Sequence, residues 1–156
     1  MGKTTLGKKL ATRLKFSFED LDMVLEKREG KSIGELISQQ GQTYFREAES
    51  RTLQSVSLQK TVVACGGGAP CFFDNLKWMK ENGSLVYLKA SESFLCSRLL
   101  QTNLAERPLL KDLNEDSLRS FIHKKLQERA FFYEQAHHTF TIPETNVEVI
   151  ARALGF

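Results

Sequence analysis

The chain has 156 residues, enough for one domain with a core that needs neither disulfide nor metal. Hydrophobic residues make up 41% and charged residues 26%, which excludes a disordered tail, a coiled coil and a collagen-like fibre. The formal charge of +3 comes with no basic block, and there is no run of 18 apolar residues, so neither a nucleic acid nor a membrane is an expected partner.

Helix and strand signals alternate along the chain. Leu6, Leu10 and Leu14 recur every fourth residue, so residues 3–14 read as a helix with one apolar stripe. A short strand at 16–18 runs into Glu19-Asp20-Leu21-Asp22, and residues 23–28 look helical. Ser32 and Glu35 have capping-box spacing and open a helix to about residue 40, which Gly41 is expected to stop. A second helix is expected over 43–58, with Phe45, Ala48 and Leu53 facing inward. Residues 61–65 (Thr-Val-Val-Ala-Cys) form an apolar, β-branched run of the kind buried on both faces of a parallel sheet, and Gly66-Gly67-Gly68 ends it. Residues 76–81 read as the end of a helix, with Gly83 as its cap. A strand is expected at 85–88, a helix capped by Ser91 up to residue 100, and a polar, basic stretch over 101–114. A long helix over 115–136, a strand at 139–142 and a closing helix at 147–154 complete the series. Strands alternating with helices imply βαβ units and a parallel sheet.

The three cysteines, Cys65, Cys71 and Cys96, lack zinc-type spacing. The start, Met1-Gly2-Lys3-Thr4-Thr5, has no apolar core of a secretion signal, so they read as reduced, small hydrophobes in a cytoplasmic protein. His123, His137 and His138 make no metal-ligand pattern and read as surface or lid residues.

Gly2-Lys3-Thr4 matches the end of the P-loop pattern and opens an amphipathic helix. Glycine lets backbone approach phosphate, and the helix N-terminus offers free N–H groups and a positive dipole end. The lysine suits phosphate charge and the Thr4 hydroxyl suits Mg²⁺. Asp20 and Asp22, two apart at a strand end, would share a face if strand geometry persisted, and could organise Mg²⁺ and a hydroxyl. The bland alternative is that they cap the next helix. The three glycines suit close passage of a ligand, or are a plain turn. Arg46, Arg107 and Arg129 are individually ordinary.

In order and spacing these pieces converge. Gly2-Lys3-Thr4-Thr5, Phe18-Glu19-Asp20-Leu21-Asp22, Gly30-Lys31-Ser32-Ile33, Gly41 with Phe45-Arg46 and Glu49, Gly66-Gly67-Gly68, Arg107-Pro108-Leu109-Leu110, and Glu128-Arg129 with Tyr133 together resemble shikimate kinase. The resemblance runs from Gly2 to Tyr133. It implies a three-layer α/β P-loop kinase fold of the nucleoside-monophosphate-kinase type, one domain over residues 1–156, with a lid at 101–114. The implied activity moves the γ-phosphoryl of ATP to the 3-hydroxyl of shikimate, in the route to chorismate and the aromatic amino acids. By the same resemblance, Gly2, Lys3, Thr4, Thr5 and Arg107 would bind ATP, and Thr4 and Asp20 would hold Mg²⁺. Asp22, Arg46, Gly67 and Arg129 would bind shikimate, with Arg46 and Arg129 on its carboxylate. Lys3, Asp22 and Arg107 would carry the catalysis, and a monomer is expected.

Three departures from the family pattern stand out. The first half of the P-loop and the strand before it are absent, so the expected first strand of the sheet is missing and the true start is expected upstream of Met1. The activity of the chain as written is correspondingly in question. Ala130-Phe131-Phe132 replaces the usual proline and aliphatic residue before Tyr133, and residues 143–146 lack a basic residue. The competing readings are a related small-molecule kinase, such as a gluconate kinase, and a catalytically inactive P-loop protein.

Overall fold

A computed structural model describes residues 2–104, 107 and 109–156. The leucine stripe forms as expected in α1 (Gly2–Leu14), where Leu10 is buried against Ile150 and Ala151 of the closing helix α7 (Val147–Ala153). Leu6, Leu14, Val62, Leu88 and Phe140 pack around them, so α1 and α7 cover one face of the strands.

Among the described residues there are four strands, all paired in parallel. β1 (Ser17–Asp20) pairs with β2 (Thr61–Ala64), with Ser17 opposite Thr61 and Asp20 opposite Ala64. β3 (Val86–Lys89) pairs with β4 (His138–Thr141), with Val86 opposite His138. Parallel partners need helical crossovers. α2 (Leu21–Glu29) and α3 (Ile33–Ser55) supply the first, and α5 (Glu92–Leu100) and α6 (Glu115–Tyr133) the second. α4 (Asn75–Asn82) lies between the two pairs in sequence. β2 and β3 do not bond to each other; a cavity of about 1090 Å³ lies between them, lined by both strands and by Gly2 and Lys3. The expected parallel sheet is thus present as two parallel pairs.

Several boundaries differ from the sequence reading. β1 continues to Asp20, and α2 begins at Leu21, because the Asp20 side chain caps it. α2 ends on Gly30, whose left-handed backbone (φ 66°) returns an N–H to Glu26. Gly41 ends the first helical stretch of α3, as expected, and a second stretch follows it. The glycine sits at φ 87°, ψ 169°, a conformation open essentially to glycine alone, and bends α3 while the helix resumes at once. The capping box forms in full: Ser32 Oγ accepts from Glu35 N at 3.2 Å and Glu35 Oε2 accepts from Ser32 N at 2.8 Å. Gly83 takes the C-cap position of α4 as expected, with an extended (φ −171°) and not a left-handed backbone. α6 ends at Tyr133, three residues early, and β4 starts and ends one residue early. Within the expected lid, residues 105, 106 and 108 lie outside the described residues, as does Met1. Leu110 of the same stretch is anchored in a buried cluster with Cys96, Leu118 and Ile122. No helix among the described residues is long and apolar enough to cross a membrane.

Candidate active site

β1 and β2 are parallel, so their carboxyl ends lie together, the usual ligand position in an open α/β sheet. Asp20 ends β1, the glycine triplet follows β2, and α1 presents its N-terminus to the same place. Thr4 Oγ1 donates to Asp20 Oδ2 at 2.9 Å, which ties the first turn of α1 to the end of β1.

Asp20 does two things at once. Its Oδ1 accepts from the backbone N–H of Asp22 (3.1 Å) and Met23 (3.4 Å), capping α2, while Oδ2 faces Thr4. Asp22 joins it by a different route from strand alternation, since β1 stops at Asp20 and Asp22 stands in the first turn of α2. Burial pushes the Asp22 carboxyl above its ordinary value, the negative Asp20 pushes the same way, and Lys3 and Arg46 pull against them.

Arg46 reaches the site from α3, beyond the Gly41 bend. Its Nη1 donates to Glu49 Oε1 at 2.8 Å, and the Glu49 side chain is 1% exposed. Burial raises Glu49 while Arg46 opposes the rise. The guanidinium lies over the rings of Phe45 (4.8 Å to the centroid) and Phe72 (4.2 Å), and its buried Nε has no hydrogen-bond partner among the described residues. Arg129 comes from α6, where Tyr133 lies one turn further on. Tyr133 Oη donates to Gly67 O at 2.6 Å, and its ring packs on Tyr87 of β3 at 4.8 Å.

The glycine triplet is the seat on which both arginines rest. A Cβ on Gly67 would fall 2.9 Å from Arg129 Nη1 and 2.8 Å from Tyr133 Oη. One on Gly68 would fall 2.6 and 2.7 Å from the two terminal nitrogens of Arg46. Neither glycine has positive φ, so both provide room and not unusual backbone. The sequence reading placed a ligand against this bare backbone; the structure places the protein's own guanidinium groups there.

Lys3, Thr4, Asp20, Asp22, Arg46, Gly67 and Arg129 are therefore brought together. Gly2, Thr5 and Arg107 line the same large cavity as Lys3, Gly67 and Arg129, and the Arg107 backbone N–H bonds to Leu104 O. Glu49 and Tyr133 stood in the sequence motifs without a role. Their spacing, three after Arg46 and four after Arg129, is the helical signal that each shares a face with its arginine. Nothing in the sequence pointed to Phe72. Cys96 is buried, and burial holds the Cys65 thiol at about 12, so both behave as hydrophobes. His123 is exposed and pairs with Glu92, whereas His137 Nδ1 accepts from Leu85 N at 2.9 Å and helps join the second strand pair.

The model of the shikimate kinase family matches residues 1–155. The chain belongs to this family. The shikimate kinase of Bacteroides fragilis is 44% identical over 140 residues, covering 89% of this chain and 78% of its own. That of Parabacteroides distasonis is 40% identical over 158 residues, covering 98% and 91%. Among solved structures, the shikimate kinase of Bacteroides thetaiotaomicron superposes with a TM-score of 0.88 at 39% identity, covering 98% of this chain and 89% of that one. The Acinetobacter baumannii shikimate kinase in complex with shikimate gives 0.85 at 29% identity, covering 98% and 84%. The shikimate kinase family fold, α/β with helices flanking parallel strands, is thus the fold of this chain.

Proposed function

We propose that the chain is an ATP:shikimate 3-phosphotransferase. The observation that carries the reading is the convergence of Arg46 and Arg129 on the adjacent glycines 67 and 68, beside the Asp22 carboxyl. Two guanidinium groups at one end and a carboxylate at the other suit a small ring acid whose hydroxyls face the carboxylate. Arg46 Nε, a buried donor without a partner among the described residues, is the type of group that a substrate carboxylate satisfies.

Asp22 contacts the hydroxyls and takes or orients the proton of the attacking one, a role helped by its raised affinity for protons. Lys3 and the N-terminus of α1 hold the phosphates, with Gly2 and Thr5 beside them, and Arg107 closes over them from the lid. Closure excludes water, which would otherwise accept the phosphoryl group. Thr4 Oγ1 and Asp20 Oδ2 stand 2.9 Å apart, a pair of hard oxygen donors that fits Mg²⁺. When bound, the ion neutralises phosphate charge as the phosphoryl group moves. Every residue named comes from one chain, so a monomer suffices, and the cytoplasm supplies both substrates.

The test is a substrate panel with ATP and Mg²⁺. Shikimate should be phosphorylated at the 3-hydroxyl, located by phosphorus–proton coupling, and gluconate should not. Turnover of gluconate in place of shikimate would support the related-kinase reading, and no turnover of either the inactive one.

A further inference from the structure

We propose that Tyr133 is a positioning residue for the two arginines: its hydroxyl locks the Gly67 carbonyl, and so fixes the glycine seat on which Arg46 and Arg129 lie. The proposal rests on the shikimate reading for its effect on binding, though the tether itself does not.

A triplet of glycines is the least ordered backbone a chain can offer. Two of its three carbonyls are held from within the turn: Gly66 O accepts from Ala69 N at 3.1 Å and Gly68 O from Cys71 N at 3.0 Å. The middle one is held from outside, by Tyr133 Oη at 2.6 Å, at the short end for an O–H donor. The Cys71 thiol, at 3.9 Å, is a weak second donor. Because the peptide is planar, pinning the Gly67 carbonyl also pins the Gly68 N–H on its opposite side. A single hydroxyl therefore sets the orientation of the peptide joining the two arginine contacts.

Tyr133 is well placed for this. It sits four residues after Arg129 on α6, on the same face, so the bond that docks Tyr133 also docks Arg129 against Gly67. Its ring is braced on Tyr87, so β3, α6 and the glycine turn meet at one side chain. Burial keeps the phenol protonated, and thus a donor, at neutral pH.

Tyr133→Phe keeps the ring packing and removes the tether together with the hydroxyl's hydrogen bond to Arg129. Hydrogen exchange of the 66–71 backbone should become faster in the ligand-free variant. Its affinity for shikimate should fall about 3- to 10-fold, the scale of one lost neutral hydrogen bond, with ATP affinity unchanged. Introduced beside Arg129→Lys, the same substitution should cost clearly less, because the two act through one contact. Unchanged exchange and unchanged affinity would overturn the proposal, as would equal losses of shikimate and ATP affinity or full additivity with Arg129→Lys. If the parent chain binds no shikimate, the proposed function fails; the exchange comparison then decides the tether alone, faster exchange sustaining it and equal exchange overturning it.

Discussion

Gly68→Ala separates steric room from backbone freedom at the glycine seat. Gly68 has φ −86° and ψ −15°, where alanine is at ease, so backbone entropy alone predicts a stabilisation of about 0.4–1 kcal/mol. The new methyl group, however, would stand 2.6, 2.7 and 2.9 Å from three atoms of the Arg46 guanidinium. Ordinary carbon contacts need about 3.5–4.0 Å, so the guanidinium must withdraw by about 1 Å. It cannot withdraw without stretching the 2.8 Å bond to Glu49, a carboxylate 1% exposed to solvent. Weakening the partner of a buried charged group costs about 1–3 kcal/mol or more, which reverses the entropic gain. Gly66→Ala is the internal control. Its methyl would lie 3.5 and 3.6 Å from the Asp22 and Glu49 oxygens, ordinary contact, and should change stability by no more than about 0.5 kcal/mol. Urea unfolding and a shikimate titration on both variants measure the contrast. Gly68→Ala should be the less stable and bind shikimate at least tenfold more weakly. A Gly68→Ala protein as stable as its Gly66→Ala counterpart, with undiminished binding, would refute the reasoning.

Asp22→Asn should lower turnover by about 10²–10⁴ yet raise stability at pH 7. Its folded pKa is raised, so the ionised form opposes folding: the favourable contribution is complete below the ordinary value near 3.8 and is lost as pH rises through the folded value. Stability against pH should therefore slope downward in the parent across that window and flatten in the variant. Arg46→Ala and Arg129→Ala should each weaken shikimate binding by about 2–5 kcal/mol in a calorimetric titration and leave ATP binding nearly unchanged. Thr4→Val removes the donor to Asp20 and one oxygen of the candidate Mg²⁺ pair, so the Mg²⁺ concentration giving half-maximal turnover should rise severalfold, with shikimate affinity retained.

What could be read from sequence was what lies in one residue's local pattern. The four-residue spacing of Leu6, Leu10 and Leu14, the Ser32–Glu35 box and the β-branched run at 61–64 each determine their element through short-range physics, and each element formed. Gly41 was legible as the break between two helical stretches, but not that the two would run on as one bent element. That continuation is set by Leu25, Leu36, Phe45 and Ala48, which pack α2 against both halves of α3. Asp20 and Asp22 do not share a strand face; Asp20 caps the next helix, as the alternative reading had it, and Asp22 lies in that helix's first turn. The glycine triplet was legible as a place of close approach, but what approaches it comes from positions 46, 129 and 133, far away in sequence. Glu49 needed a burial value to stand out from an exposed helical ion pair, and Phe72 needed the fold itself.

The central claim is that Arg46 and Arg129 make a carboxylate site on the glycine seat. It is tested most directly by titrating the protein with shikimate and with its methyl ester, in which a methyl group replaces that charge. Shikimate should bind at least tenfold more tightly than the ester, and the difference should vanish in the Arg46→Ala, Arg129→Ala double variant. Equal affinity for acid and ester in the parent protein would contradict the account.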